Sequence, residues 1–164
     1  MADLSDLEAR VRALEDIEAI KQLKARYWRC LDKRLWTEFG TCFTEDATFD
    51  VGETPLGVPG APRGSAEIVQ YVKARKERNS ATTFHQGQAL EIVTMTDTSI
   101  KAIWRFHDYI VTKPDSLTTV SLKGGGFYED EYTKEEGQWK IKSLKVTRLY
   151  TETFTRRDWE WGDT

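Results

Sequence analysis

The chain predicts an α+β fold: a cone-shaped, curved sheet, mixed or antiparallel, covering N-terminal helices and holding an internal pocket. Three observations predict it. Apolar residues recur at spacings of three and four through the first forty residues and again over residues 66–78. After residue 80 the pattern changes to long runs that alternate with a period of two. Those runs follow one another through short turns, "TDTS", "KPDS" and "EEGQ". Helices first and a meander afterwards put the helices on one face of the sheet.

Leu4, Leu7, Val11 and Leu14 begin a stripe that Ile17, Ile20, Leu23, Tyr27 and Leu31 continue, giving one amphipathic helix over about residues 4–31. Residues 1–15 are read as an extension of it whose two heptads resemble a short coiled-coil arm for another subunit. A helix lying across its own domain fits the same spacing. "DKRLWTEFGTCF" predicts a short second helix on Leu35, Trp36, Phe39 and Phe43, and "EDATFDVG" a strand. "GETPLGVPGAPRG", residues 52–64, holds all but one of the four prolines and reads as a lid or binding loop. Ser65 caps a third helix, "AEIVQYVKARKER", with Glu67 favourable in its first turn. "TTFHQGQALEIVTM", "TSIKAIWRFHDYIVT", "TTVSLKGGGFYEDEYTKEE" and "GQWKIKSLKVTRLYTETF" are the strands. The cone domain is set at residues 16–158. Residues 159–164 end a tryptophan-bearing tail placed over an apolar surface of this or a neighbouring subunit.

Bulk properties exclude several functions. With 24 basic and 27 acidic side chains the net charge is −3, so no basic footprint points to nucleic acid. No apolar run approaches the ~20 residues of a membrane span. The acidic, amphipathic start has no signal core. Cys30 and Cys42 form no C-x-x-C pair, and two thiols do not make a disulfide scaffold. A reduced, cytoplasmic protein is expected.

Chemistry is sought where ionisable groups interrupt apolar faces. In "KAIWRFHDYIVT" (101–112), Asp108 falls on the face of Ala102, Trp104, Phe106 and Ile110, where a carboxylate must be paired, protonated or open to a cavity. Arg148 likewise interrupts the face of Leu144, Val146 and Tyr150. His85, from "TTFHQG", and Tyr27, from the long helix, complete an acid–base set if all four meet in one cavity. Each has a plain alternative. Asp108 and Arg148 make a structural ion pair, His85 a core or edge residue, Tyr27 a core residue and Asp32 an N-cap for the second helix. No H-x-H or H-E-x-x-H spacing supports a metal site, "KGGGFYED" opens no helix, and no G-x-S-x-G elbow is present. Those glycines are read as permitting strand bending or close backbone approach.

"DIEAIKQLKARYWRCLDKRLWTEFGTCFTEDATFD" resembles the opening of the SnoaL-like branch of the nuclear transport factor 2-like superfamily, which includes ketosteroid isomerase and scytalone dehydratase. "RYWRCLD", "GGGFYEDEY", "GQWKI" and "TRLYTETF" are similar, in order and spacing, to the bacterial bile-acid 7α-dehydratases. The resemblance runs from about Asp16 to Asp158. It carries the active-site residues onto Tyr27, Asp32, His85, Asp108 and Arg148. A second pocket tyrosine has no counterpart, Phe49 and Asp50 occupying its neighbourhood, and the proline-rich loop is longer.

The resemblance implies that Asp108 hydrogen-bonds one ring nitrogen of His85, which removes a proton activated by a carbonyl. Tyr27 then protonates a departing hydroxyl or holds an enolate, Arg148 stabilises negative charge, and Asp32 orients Tyr27 or meets substrate at the mouth. The expected function is a cofactor-independent dehydratase, with no metal, acting on a small hydrophobic hydroxylated carbonyl compound such as a steroid, a bile acid or a polyketide-like ring. Trp28, Phe49, Trp104, Phe106, Phe127 and Tyr128 are its expected apolar contacts, or else ordinary core. The alternatives are a ketosteroid-type isomerase and a non-catalytic binding domain, the latter favoured if Asp108 engages Arg148 while His85 faces solvent. The resemblance implies a homo-oligomer, with a trimer favoured.

Overall fold

The long apolar stripe folds as α1, Leu4–Lys33, which ends where Arg34 turns left-handed (φ 58°) and donates its N–H to Cys30 O. Residues 3–52, 61–78, 80–113 and 118–157 are described by the computed structural model. The middle of the proline-rich loop and most of the tryptophan-bearing tail lie outside the described residues. After α1 come α2 (Trp36–Gly40), β1 (Phe43–Asp50), α3 (Ser65–Arg78), β2 (Thr82–Met95), β3 (Ser99–Thr112), β4 (Thr118–Glu135) and β5 (Gln138–Arg157). The predicted second helix is shorter and later than expected. Asp32 sits inside the last turn of α1, and Leu35 occupies the N-cap position of α2, so the N-cap reading of Asp32 is corrected.

The strands form one curved, unclosed mixed sheet in the order β1-β5-β4-β3-β2. β2 to β5 are an antiparallel meander, and β1 joins the edge parallel to β5. Alternation sends Ala102, Trp104, Phe106 and Asp108 of β3 inward, all buried. Tyr27, Phe39, Phe43 and Phe49 belong to the same buried core and pack on one another through tilted and edge-to-face contacts 5.2–6.0 Å between centroids. Two of the register shifts bear on the residues of interest. The β2–β3 register shifts between Gln88 and Glu91, beyond His85, so the alternation through His85 is unbroken. The β4–β5 register pairs Gly126 with Arg148 but Gly125 with Tyr150, so Tyr150 leaves the inner face on which Arg148 stays.

α1 is buried only from Ile20 onward. Leu4, Leu7, Val11 and Leu14 are exposed, so this first part of the helix does not lie across its own domain. Its junction with the sheet is fixed at Asp16, whose Oδ1 accepts from Lys134 Nζ and Trp139 Nε1, each at 2.7 Å. Phe84, Tyr109, Tyr150 and Phe154 form a second exposed apolar set on the sheet. Among the described residues, no helix is long and apolar enough to cross a membrane.

Candidate active site

Between α1, α3 and the inner face of the sheet lies a cavity of about 750 Å³, counting its open mouth. α1 contributes Tyr27 and Leu31, one turn apart, and β2 contributes Thr83 and His85, two residues apart on one face. α3 adds Tyr71, Val72, Arg75 and Lys76. Phe49, Val51, Ala81, Ile110, Tyr128, Val146 and Arg148 complete the wall. It is mostly apolar, with a few polar groups converging on it, as a small-molecule site requires.

His85 is held by Asp32. Its Nδ1 lies 2.6 Å from Asp32 Oδ1, and its backbone N–H donates to Asp32 Oδ2 at 2.8 Å. Thr83 Oγ1 donates to the same Oδ1 at 2.7 Å. Burial favours a protonated Asp32, but hydrogen bonds and charge from His85, with the Thr83 hydroxyl, outweigh it and hold the carboxyl below its ordinary value. An ionised carboxylate only accepts, so the imidazole proton sits on Nδ1 and Nε2 is left as the basic nitrogen. The side chains of His85 and Asp32 are 11% and 17% exposed, so His85 does not face solvent.

Asp108 has a different partner from the one expected. It stands opposite His85 in the β2–β3 register, yet its carboxylate takes a two-pronged contact from Arg148: Nη1 to Oδ1 at 3.0 Å and Nη2 to Oδ2. The proposed Asp108–His85 dyad is therefore corrected to an Asp32–His85 dyad, and Asp32 orients His85 rather than Tyr27. Gly124 makes room for the pair, because a Cβ there would lie 2.2 Å from Arg148 Nη1 and 2.7 Å from Asp108 Oδ1. Close approach is thus what this glycine permits. Arg148 rests over the Phe106 ring at 5.4 Å and reaches the cavity wall.

The phenols stay protonated. Burial, reinforced by Tyr128 and Asp130, pushes Tyr27 well above the ordinary tyrosine range, and burial with the Asp108 charge pushes Tyr128 the same way. Both are therefore hydrogen-bond donors in an apolar wall. Behind them Lys24, fully buried, lies 3.8 Å from the Tyr128 ring centroid and 4.7 Å from that of Tyr27. Its Nζ is 2.6 Å from Asp130 Oδ2, close enough to pair but off the line of a hydrogen bond.

Of the expected apolar contacts, Phe49 and Tyr128 line the cavity. Trp28, Trp104 and Phe106 are buried one layer behind it, with Trp28 edge-on to Trp104 and tilted against Tyr128. Phe127 is half-buried beside the exposed Arg105, off the cavity. These four are corrected to packing residues. Lys76, Thr83 and Tyr71 were missed. Lys76 had a signal, since it follows Ile68 and Val72 at spacings of four on the buried stripe of α3. Thr83 and Tyr71 had none beyond sharing faces with His85 and Arg75.

A family model described as a SnoaL-like domain matches residues 12–145. Probable cyclase FGR4 of Gibberella zeae is 27% identical over 138 residues, covering 80% of this chain and 89% of that protein. Among solved structures, the hexachlorocyclohexane dehydrochlorinase LinA type 2 superposes with a TM-score of 0.78 at 17% identity, covering 88% of this chain and 93% of the other. A Novosphingobium aromaticivorans DSM 12444 protein described as a candidate scytalone dehydratase gives 0.70 at 20% identity, covering 87% and 90%. At these identities the structural likeness is one of fold.

Proposed function

The chain belongs to the SnoaL-like domain family, and on that premise we propose that it is a hydro-lyase that removes water from a hydroxylated, hydrophobic carbonyl compound. The carrying observation is the Asp32–His85 dyad, 2.6 Å between Oδ1 and Nδ1, set in the wall of a largely apolar cavity. His85 Nε2 takes the proton from a carbon adjacent to, or conjugated with, the substrate carbonyl, and Asp32 stabilises the resulting imidazolium. The electron pair moves toward the carbonyl oxygen and then expels the hydroxyl, which leaves as water with the proton carried by His85. Tyr27 and Tyr128 supply hydrogen bonds to the developing enolate. Their raised pKa values suit that role better than full proton transfer. All steps use side chains of this chain.

The names of the similar proteins support the reaction class. Dehydrochlorination and dehydration both end in loss of a small leaving group with a carbon-bound proton. The substrate class follows the apolar wall: a steroid, a bile-acid-like compound or an aromatic polyketide-like ring. Free, buried Cys30 and Cys42 are in keeping with a reducing cytoplasm. Incubation with hydroxylated 3-oxo steroids, free and as thioesters, is expected to yield a conjugated-enone absorbance and a product lighter by the mass of water, about 18 units. An unchanged mass with a moved double bond would replace dehydration by isomerisation. Tight binding without any conversion of a bound hydroxyketone would leave a binding domain.

The same reading takes the chain as a homo-oligomer, a trimer first. The unpartnered stripe Leu4, Leu7, Val11 and Leu14 and the exposed aromatic set on the sheet supply two apolar surfaces that a neighbour would cover. Light scattering is expected to give a multiple of the 18.9 kDa chain mass. A single-chain mass at micromolar concentration would remove this part of the proposal.

A further inference from the structure

We infer that Lys76 is a positioning residue for the proposed base, acting through Thr83 on the Asp32 carboxylate that holds the His85 ring. The inference rests on the reading of His85 as the proton acceptor and adds a residue that neither the family match nor the dyad itself requires.

The geometry is a directed chain. Lys76 is buried, at 6% exposure, on the cavity wall. Its Nζ donates to Leu31 O and, at 2.5 Å, to Thr83 Oγ1. A hydroxyl has one proton, and Thr83 gives its own to Asp32 Oδ1. Lys76 therefore fixes Thr83 as a donor toward the carboxylate that holds the His85 ring. Its ammonium also feels the opposite charge of Asp32. Arg34 opposes it from the end of α1, Arg75 stands beside it on α3, and His85 is the titratable group on β2.

The direction of the effect follows from charge. A cation near Asp32 withdraws negative potential from the imidazole, so imidazolium is favoured less and the free base more. Burial first, offset by Asp32 and joined by Arg34, lowers the Lys76 pKa to about 8, so the cation is present at neutral pH. A group whose only task were to cap the C-terminal carbonyls of α1 would need the Leu31 contact alone.

The chain has two histidines, which makes the test direct. Their ring resonances are followed by NMR over pH 5–9 in wild type and in Lys76→Met, without substrate. His85 is expected to titrate higher in the variant by about half to one pH unit. The exposed His107, on the opposite face of the sheet, stays in place as the internal reference. An unchanged or lowered His85 midpoint in the folded variant overturns the inference, whatever the protein's reaction proves to be. If Lys76→Met does not fold, Lys76→Arg is expected to keep the wild-type midpoint and Thr83→Val to raise it. An unmoved midpoint in Thr83→Val overturns the inference in that case. Loss of turnover without any shift of the ring would return Lys76 to a purely structural role.

Discussion

His85→Ala is expected to lower kcat of the proposed dehydration by about 10²–10⁴-fold, with the fold preserved. Among the described residues of the cavity wall, the imidazole is the side chain that offers a free ring nitrogen as proton acceptor. Arg148 and Arg75 offer guanidinium donors, Tyr27 and Tyr128 keep their phenolic protons, and Asp32 reaches substrate only through the ring. Asp32→Asn is expected to do nearly as much damage for a different reason. Asp32 accepts three bonds, from Thr83 Oγ1, His85 Nδ1 and His85 N. An amide has one acceptor oxygen and cannot satisfy all three donors. If its NH₂ faces the ring, the imidazole must switch its proton to Nε2, and the basic nitrogen then points away from substrate. Nitrogen NMR would show that switch independently of activity. Wild-type turnover in either variant would remove the proposed base.

What the sequence disclosed was which face a residue lies on. It did not disclose which neighbour it meets. Asp108 was legible as a carboxylate on an apolar face, and it is fully buried. Its partner could not be read, because the bulge opposite Gly125 and Gly126 decides that Arg148 stays inward while Tyr150 turns out. Asp32 was misread because helix boundaries fray by a turn in any pattern reading. Two more residues of α1 changed an N-cap into the group that orients His85. Periodicity likewise places Trp104, Phe106 and Tyr128 on inner faces without saying that only Tyr128 reaches the cavity. Depth comes from how far α1 lies from the sheet, set in part where the Trp28 ring occupies the space a side chain at Gly87 would need. Lys24 and Lys76 broke apolar stripes as plainly as Asp108 did, and the same rule would have found them.

Lys24→Met is expected to destabilise the protein by about 3–5 kcal/mol, because it leaves a buried carboxylate without its cation. The side chains of Lys24 and Asp130 are both 0% exposed. Asp130 would retain one donor, the Tyr132 hydroxyl at 2.6 Å, itself fixed by Trp104 Nε1 at 2.9 Å. For a chain of this size the loss corresponds to a melting point lower by roughly 6–20 °C. Burial already lowers the Lys24 pKa, with Asp130 offsetting part of that, so the charged form is sustained by its partner rather than by solvent. Removing both charges in Lys24→Met/Asp130→Asn keeps an acceptor for Tyr132 and is expected to recover at least half of the loss, a coupling that a double-mutant cycle measures. The effect reaches the site as well. The ammonium lies beneath the Tyr128 and Tyr27 rings, which carry the proposed enolate donors, so the single variant is expected to weaken substrate binding while the double variant restores it in part. A Lys24→Met protein that melts within 2 °C of wild type would mean that the pair is not energetically coupled, and that the phenols owe their position to packing alone.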